Sequence, residues 1–212
     1  MLNFDIRWIH QIDTQSDILI TLNKGNVMNN YEKALQTILQ TFHAKKVKEF
    51  RGHDGYGYNA DIYLGKNKVA EVDEDGWGGG LRIDYVSDEM KQKSDEIIQN
   101  LPKCKWSEWN FLNNSDDSEF TWTHDLVFDA VATNVLRMRD FKKQMKKITF
   151  IQNNQMQHFT SLKHSQLQNF YQYNEGTMKL EEWLKMTEKE ENMIVLNLLP
   201  EDEAFDLYRK HS

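Results

Sequence analysis

Four short runs of β-forming residues, joined by turns, constrain the fold of this chain more than any other feature. The runs cover residues 47–51, 58–64, 68–73 and 81–86. Glycine-rich residues separate the first two runs, and Gly65-Lys-Asn67 separates the second from the third, so both connections have the chemistry of a β-hairpin. Because hairpins join antiparallel neighbours, the sequence predicts an antiparallel sheet.

Helical periodicity flanks these runs on both sides. Apolar residues recur at helical spacing over residues 29–43, with Asn29 or Asn30 as a suitable N-cap. A second helix is predicted over residues 88–100, and Pro102 closes it. From residue 29 to 100 the sequence therefore predicts a core of strands packed against two helices.

The remaining elements follow from the same rules. They are strands at 2–8 and 18–22, a long helix from Thr123 or Asp125, a hairpin over 148–151 and 156–159, a helix over 178–190, a strand at 193–196 and a helix from Pro200 to about Arg209. Grouped strands favour the α+β class: antiparallel sheets packed against helices, with an N-terminal αβββα-like core and a smaller helical and β C-terminal half. The polar segment 113–122 is the predicted boundary between regions 1–112 and 123–212.

Composition excludes several classes of protein. The chain has 212 residues, 39% of them hydrophobic and 28% charged, which is typical of a soluble globular protein. It has no apolar run of the roughly 18 residues that a membrane span needs, and its N-terminus has no signal-peptide character. The single cysteine, Cys104, cannot form a disulfide within the chain, so a reducing cytoplasm is the predicted location. The net charge of −7 argues against coating nucleic acid through bulk electrostatics.

An acidic, glycine-rich segment over residues 67–86 is the first candidate site. It contains four of the ten glycines and three consecutive acids, Asp73, Glu74 and Asp75, followed by Trp77. Contiguous acids do not match an EF-hand, and the segment lacks the Lys-Ser/Thr of a P-loop, so neither a metal site nor a phosphate site is predicted. Trp77 either covers its own sheet or anchors a partner.

A basic run at the end of the long helix is the second candidate site. Its members are Arg137, Arg139, Lys142, Lys143, Lys146 and Lys147. Cations at this position complement the helix dipole, which is their ordinary structural role. The alternative is a patch that binds RNA, DNA or an acidic partner.

Other reactive residues give no complete catalytic or cofactor motif. His158 and His164 lack the spacing of a zinc site. The pair His53-Asp54 lies in a glycine-rich loop, where a turn held by the Asp side chain is the more common arrangement. Cys104 is expected to be a packing residue. A cluster of aromatic residues is expected to join the two halves: Trp106, Trp109, Phe111, Phe120 and Trp122.

Two resemblances add to these expectations. The segment Gly65-Lys-Asn-Lys-Val-Ala-Glu-Val-Asp-Glu-Asp-Gly-Trp-Gly-Gly80 and the tail Ile194–Ala204 look like those of small uncharacterised proteins of bacteriophages and mobile elements. This resemblance implies a phage or prophage context. The order α-β-β-β-α over residues 29–100 resembles that of a double-stranded-RNA-binding domain. Acids lead the segment Ser87–Lys93, where that family has phosphate-binding lysines.

The sequence thus predicts a non-enzymatic protein that binds a macromolecule and needs no cofactor. The expected partner is a host protein, and inhibition of a host defence protein is the most concrete version. Its expected contact surfaces are the acidic glycine segment with Trp77 and the basic helix end. The alternatives are a metal-dependent enzyme that uses Asp73–Asp75 on nucleic acid or a nucleotide, and a nucleic-acid-binding module that uses the basic helix end.

Overall fold

The larger sheet consists of four antiparallel strands in sequence order, as the hairpin signals predicted. The computed structural model describes residues 28–52, 55–77, 79–109, 117–173 and 176–211. Within it the strands are β1 (Phe42–Arg51), β2 (Tyr56–Leu64), β3 (Asn67–Glu74) and β4 (Arg82–Tyr85). The predicted α+β class is confirmed. The strands predicted at 2–8 and 18–22, and the pair His53-Asp54, lie outside the described residues.

Helices α1 (Asn30–Thr41) and α2 (Asp88–Gln99) flank the four strands. The order from residue 30 to 99 is therefore αββββα, one strand more than the αβββα order of double-stranded-RNA-binding domains. Helix α1 begins with a capping box: the Asn29 side chain accepts a hydrogen bond from the Glu32 amide at 2.7 Å, and the Glu32 carboxylate accepts one from the Asn29 amide at 3.2 Å. Ser87 caps α2 in the same position.

The first strand begins earlier than the sequence predicted. The helix predicted over 29–43 ends at Thr41, and Phe42 already has extended backbone at φ −106° and ψ 150°. Phe42 continues the apolar stripe of the helix, which explains the wrong boundary, but its ring packs edge-on against Phe128 at a centroid distance of 5.7 Å. The contact with the long helix thus fixes the start of β1.

A short two-stranded hairpin connects the sheet to the long helix. It pairs β5 (Cys104–Lys105) with β6 (Glu119–Phe120), and the one-turn helix α3 (Trp106–Trp109) follows β5. The aromatic residues of this region stack within the first core, which is the hydrophobic core beneath the four-stranded sheet. Trp106 stacks on Phe120 at a centroid distance of 4.5 Å, and Trp122 stacks on Tyr31 of α1 at 5.8 Å. The hairpin therefore packs against α1. Phe111 lies outside the described residues.

Helix α4 (His124–Gln144), predicted to start at Thr123 or Asp125, has Thr123 as its N-cap and is shared by two cores. Its first half is buried with the large sheet and α1 through Val127, Phe128, Val131 and Ala132. Near its end, Phe141 is buried in a separate cluster with residues of the C-terminal helix. The predicted division at 113–122 assigns α4 to region 123–212, yet most of the helix's buried residues pack with region 1–112.

The C-terminal region contains a three-stranded sheet with helices on both faces and a separate two-stranded sheet. Strands β7 (Lys147–Gln152) and β8 (Gln155–Lys163) form the predicted hairpin, β9 (Phe170–Tyr173) pairs with β10 (Gly176–Lys179), and β11 (Ile194–Val195) pairs with β7. Alternate residues of β7 face opposite sides, so Ile148 packs toward α5 (Leu180–Glu190) and Ile151 toward α6 (Glu201–His211).

Two boundaries in this region were predicted incorrectly. The helix predicted from residue 178 begins at Leu180, because Gly176–Lys179 pairs as β10. The strand predicted over 193–196 is two residues long and gives way to a 3₁₀ turn at Leu196–Leu198. Within the described residues, no helix combines the length and apolar character required to cross a membrane.

Candidate functional site

Glycines bring two connections of the large sheet into backbone contact. Gly76 of the β3–β4 connection packs on Gly52, which follows β1. A Cβ atom added to Gly52 would lie 2.7 Å from the Asp75 carbonyl oxygen, and one added to Gly76 would lie 3.0 Å from the Gly57 nitrogen. Gly76 also has φ +70°, which L side chains rarely adopt. The glycines at these points therefore permit a close contact between two turns.

The three acids of the candidate site have different local roles. Asp73 accepts a hydrogen bond from Asn59 Nδ2 at 2.7 Å on the outer face of the sheet. Glu74 accepts the Gly76 amide at 3.1 Å, and Asp75 accepts the Trp77 amide at 2.8 Å. Two of the three carboxylates are thus hydrogen-bonded to the backbone of their own loop, which holds its shape.

Three exposed aromatic residues gather at this end of the sheet. Trp77 is 61% exposed, Tyr56 is 69% exposed and Phe50 is 38% exposed. Phe50 lies beside Gly57, because a Cβ on that glycine would be 2.7 Å from Phe50 Cε2. We call Phe50, Tyr56 and Trp77 the aromatic tip. Of the two roles predicted for Trp77, its exposure favours contact with a partner over coverage of its own sheet.

The outer face of the large sheet is charged and internally paired. A shallow groove of about 290 Å³ crosses it, lined by charged residues from all four strands. Asp61 is only 7% exposed and contacts Lys46 Nζ at 2.9 Å and Lys68 Nζ at 2.8 Å. Hydrogen bonds from Lys68 and Lys46 hold the pKa of Asp61 below its ordinary value despite burial. This face is thus a network of compensated charges.

The basic residues predicted at the end of α4 have separate surroundings. Arg139 Nη1 donates a hydrogen bond to the Val47 carbonyl oxygen at 2.7 Å, so this guanidinium binds the backbone of β1. Lys142 Nζ lies 3.5 Å from Glu201 Oε1 of α6. Arg137 is exposed on the helix. Arg139 and Lys142 of the predicted patch are therefore already engaged with groups of the protein itself.

Further lysines gather where α4 meets the three-stranded sheet. Lys143 and Lys146 are exposed, Lys147 begins β7, and Lys163 is its direct partner on β8. We call Lys143, Lys146, Lys147 and Lys163 the lysine face. His158 Nε2 lies 3.3 Å from Lys147 Nζ beside it. Sequence reasoning missed Lys163 and His158, because only the register of the hairpin brings them to the helix end.

Buried polar groups near the first core have structural partners. The Tyr58 hydroxyl donates a hydrogen bond to Asp129 Oδ1 at 2.7 Å, and burial raises the pKa of both groups. Trp122 Nε1 donates to the buried Cys104 sulfur at 3.3 Å, and burial raises the pKa of that thiol. The prediction that Cys104 is a packing residue is confirmed.

No group of three or more His, Cys, Asp or Glu side chains is placed to hold a metal ion in the part of the chain that the structure describes. Asp73, Glu74 and Asp75 follow one another at the end of β3 and make the separate contacts given above. No known protein family, curated protein sequence or solved structure matches the chain. The interpretation of its function therefore depends on its own surfaces.

Proposed function

We propose that this protein binds another protein through the aromatic tip. The observation that supports the proposal is the exposure of three large aromatic side chains at one end of a single sheet. Exposed aromatic groups leave apolar area in contact with water, at about 25 cal/mol for each Å². Trp and Tyr are also the residues most enriched among the energetic centres of protein interfaces.

Charge near the tip favours a protein partner over a nucleic acid. Asp73, Glu74 and Asp75 lead directly into Trp77. These carboxylates would repel the phosphates of a nucleic acid, whereas around an aromatic contact in a protein complex they form an ordinary polar rim.

The backbone at the tip favours tight binding. Gly76 contacts the backbone at Gly57, and the Glu74 and Asp75 carboxylates accept hydrogen bonds from amides of their own loop. These contacts hold the connection beneath Trp77 in one shape. A surface that is ordered before binding loses less conformational freedom when the complex forms. The glycines of this segment thus support a fixed presentation of Trp77.

The resemblance of residues 65–80 to small phage proteins supplies the class of partner. We propose a protein of the bacterial host, and a component of its defence machinery is the most specific candidate. Binding to such a protein would make this chain an inhibitor.

Site-specific crosslinking tests the proposed surface. Tyr56, which is 69% exposed, is replaced by a photo-crosslinking phenylalanine derivative, and Phe170, which is 68% exposed, receives the same replacement as a matched control. After irradiation in host lysate, we expect a discrete crosslinked protein from position 56 and none from position 170. Crosslinking to nucleic acid, or identical products from both positions, would contradict the proposal.

Replacement of Trp77 measures how much the tip contributes. We expect Trp77→Ala to weaken binding to the crosslinked partner by about 30-fold, the equivalent of about 2 kcal/mol at an interface centre. Because the side chain is exposed, the free energy of unfolding should change by less than about 0.5 kcal/mol. Binding is measured by calorimetry and stability by urea denaturation. Loss of folding in this variant would show that Trp77 is a core residue and would end the proposal.

A further inference from the structure

We infer that the lysine face binds the phosphate backbone of a nucleic acid duplex. This inference concerns a surface separate from the aromatic tip and does not depend on the proposed protein partner. Its first support is the absence of counter-charge: within the described residues, none of Lys143, Lys146, Lys147 and Lys163 forms an ion pair. By contrast, Lys142 next to them is paired with Glu201.

The hairpin register places two of these lysines opposite each other. Lys147 and Lys163 are cross-strand partners, a position in which like charges destabilise a sheet. Lys163 also lies close to Lys146. The amide of His164, the residue after Lys163, donates a hydrogen bond to the Lys146 carbonyl oxygen at 3.0 Å. Lys146, Lys147 and Lys163 thus begin at neighbouring backbone positions, and none of the three forms an ion pair with a described residue, which is an arrangement that an anion would stabilise.

The helix dipole does not account for the whole face. Lys143 lies in the last turn of α4, where a cation is stabilised by the helix C-terminus. Lys147 and Lys163 lie on strands beyond the helix, and the dipole effect falls off within the last turn. These two lysines therefore lack this structural explanation for their position.

The composition of the face favours phosphates over an acidic protein. Lysine is depleted at the centres of protein interfaces, which contain aromatic and apolar side chains, whereas phosphate binding needs only positive charge. Contacts to the backbone of a duplex, without selection of sequence, fit these side chains.

Anisotropy of a fluorescent duplex of about 20 base pairs, at about 50 and 200 mM salt, tests the inference. DNA and RNA duplexes of the same sequence form the two arms. With four phosphates contacted, log K against log salt should have a slope of about −3.6, so affinity should fall about 150-fold between the two conditions. Binding of one duplex type or both supports the inference. The ratio of the two affinities shows whether the face prefers DNA or RNA.

Charge-neutralising variants locate the contact. The double variant Lys147→Gln with Lys163→Gln should make the salt slope less negative by about 1.8, because each lost phosphate contact changes the slope by about 0.9. The double variant Lys143→Gln with Lys146→Gln should have the same effect. The matched control is Lys33→Gln with Lys66→Gln, two exposed lysines elsewhere, which should leave the slope unchanged. Trp77→Ala should also bind duplex as the wild type does, which separates this inference from the proposed protein partner.

Several results would overturn the inference. They are a Kd above about 100 µM for both duplexes at low salt, equal weakening by the control pair, or displacement of the duplex by poly-glutamate as effectively as by unlabelled duplex. The last result would assign the face to an acidic protein. Circular dichroism of each variant confirms that its fold is retained, and the two lysine pairs provide independent tests if one of them unfolds.

Discussion

The aromatic tip and the lysine face are both exposed, but the protein positions them by different means. At the tip, backbone contacts between Gly52, Gly57 and Gly76 fix the loop that carries Trp77. At the lysine face, the register of a hairpin places Lys147 opposite Lys163, and the charged ends remain on flexible side chains. The tip is therefore suited to recognition by shape, and the lysine face to attraction by charge.

This difference predicts opposite responses to mutation. The tip depends on short backbone distances, so a single added methyl group should disturb it. The lysine face depends on unopposed charge, so a change of charge there should leave the fold intact or strengthen it. The three predictions below test this contrast, from the largest expected change in stability to the smallest.

Gly57→Ala should destabilise the protein by about 3 kcal/mol, near the upper end for overpacking. The added Cβ would clash with the Glu74 carbonyl oxygen, which belongs to the backbone of the paired strand β3, and would lie 2.7 Å from Phe50 Cε2. Urea denaturation measures the change. Gly80→Ala is the matched control, since no atom lies within 4 Å of a Cβ at that position. Equal stability of the two variants would mean that the two connections are not in close contact.

Asp61→Asn should destabilise the protein by about 1–2 kcal/mol near neutral pH, because Lys46 and Lys68 lose their shared carboxylate. The pKa of Asp61 is lowered in the folded state, so its contribution is present above the ordinary pKa of 3.8 and is lost as pH falls through the folded value.

The stability difference between wild type and Asp61→Asn should therefore be largest near about pH 6 and shrink toward about pH 2, as measured by urea denaturation across that range. This result would contrast Lys46 and Lys68, whose charges are paired with Asp61, with the lysine face, whose charges are unpaired. A difference that does not depend on pH would contradict the assigned pKa shift of Asp61.

Lys147→Glu should stabilise the protein by about 0.2–1 kcal/mol, because it converts a like-charge cross-strand pair into an opposite-charge pair with Lys163. The gain should diminish at high salt, where exposed charges are screened. Thermal unfolding at low and high salt measures both effects. Destabilisation at low salt would show that the two lysines do not repel each other and would remove the contrast with the tip.

Local signals in the sequence were sufficient to predict most elements of the fold. The cap at Asn29 has the predicted side-chain chemistry, and the hairpin turn at Gly65 has φ +58°. Such features depend on residues close together in the chain, so they can be read directly from it. The short β9–β10 pair was missed, and the second half of β10 was assigned to the following helix.

Contacts between distant segments were beyond the reach of sequence reasoning. The approach of Gly52 to Gly76, and the position of Arg139 on the Val47 carbonyl oxygen, join residues 24 and 92 positions apart. The acidic glycine segment was identified as a candidate from its composition, but Phe50 and Tyr56 were not, because they join it only through sheet register. Composition identified part of each surface, and the fold supplied its other members.

Helix α4 has a further consequence for how this chain folds. Because Phe128 packs on Phe42 and Phe141 packs on Phe205, the same helix is a structural element of both halves. A fragment that ended before residue 123 would leave one wall of the first core open to water, and one that began there would carry an unpaired apolar stripe. The two halves should therefore melt in one cooperative transition, as a single thermodynamic unit.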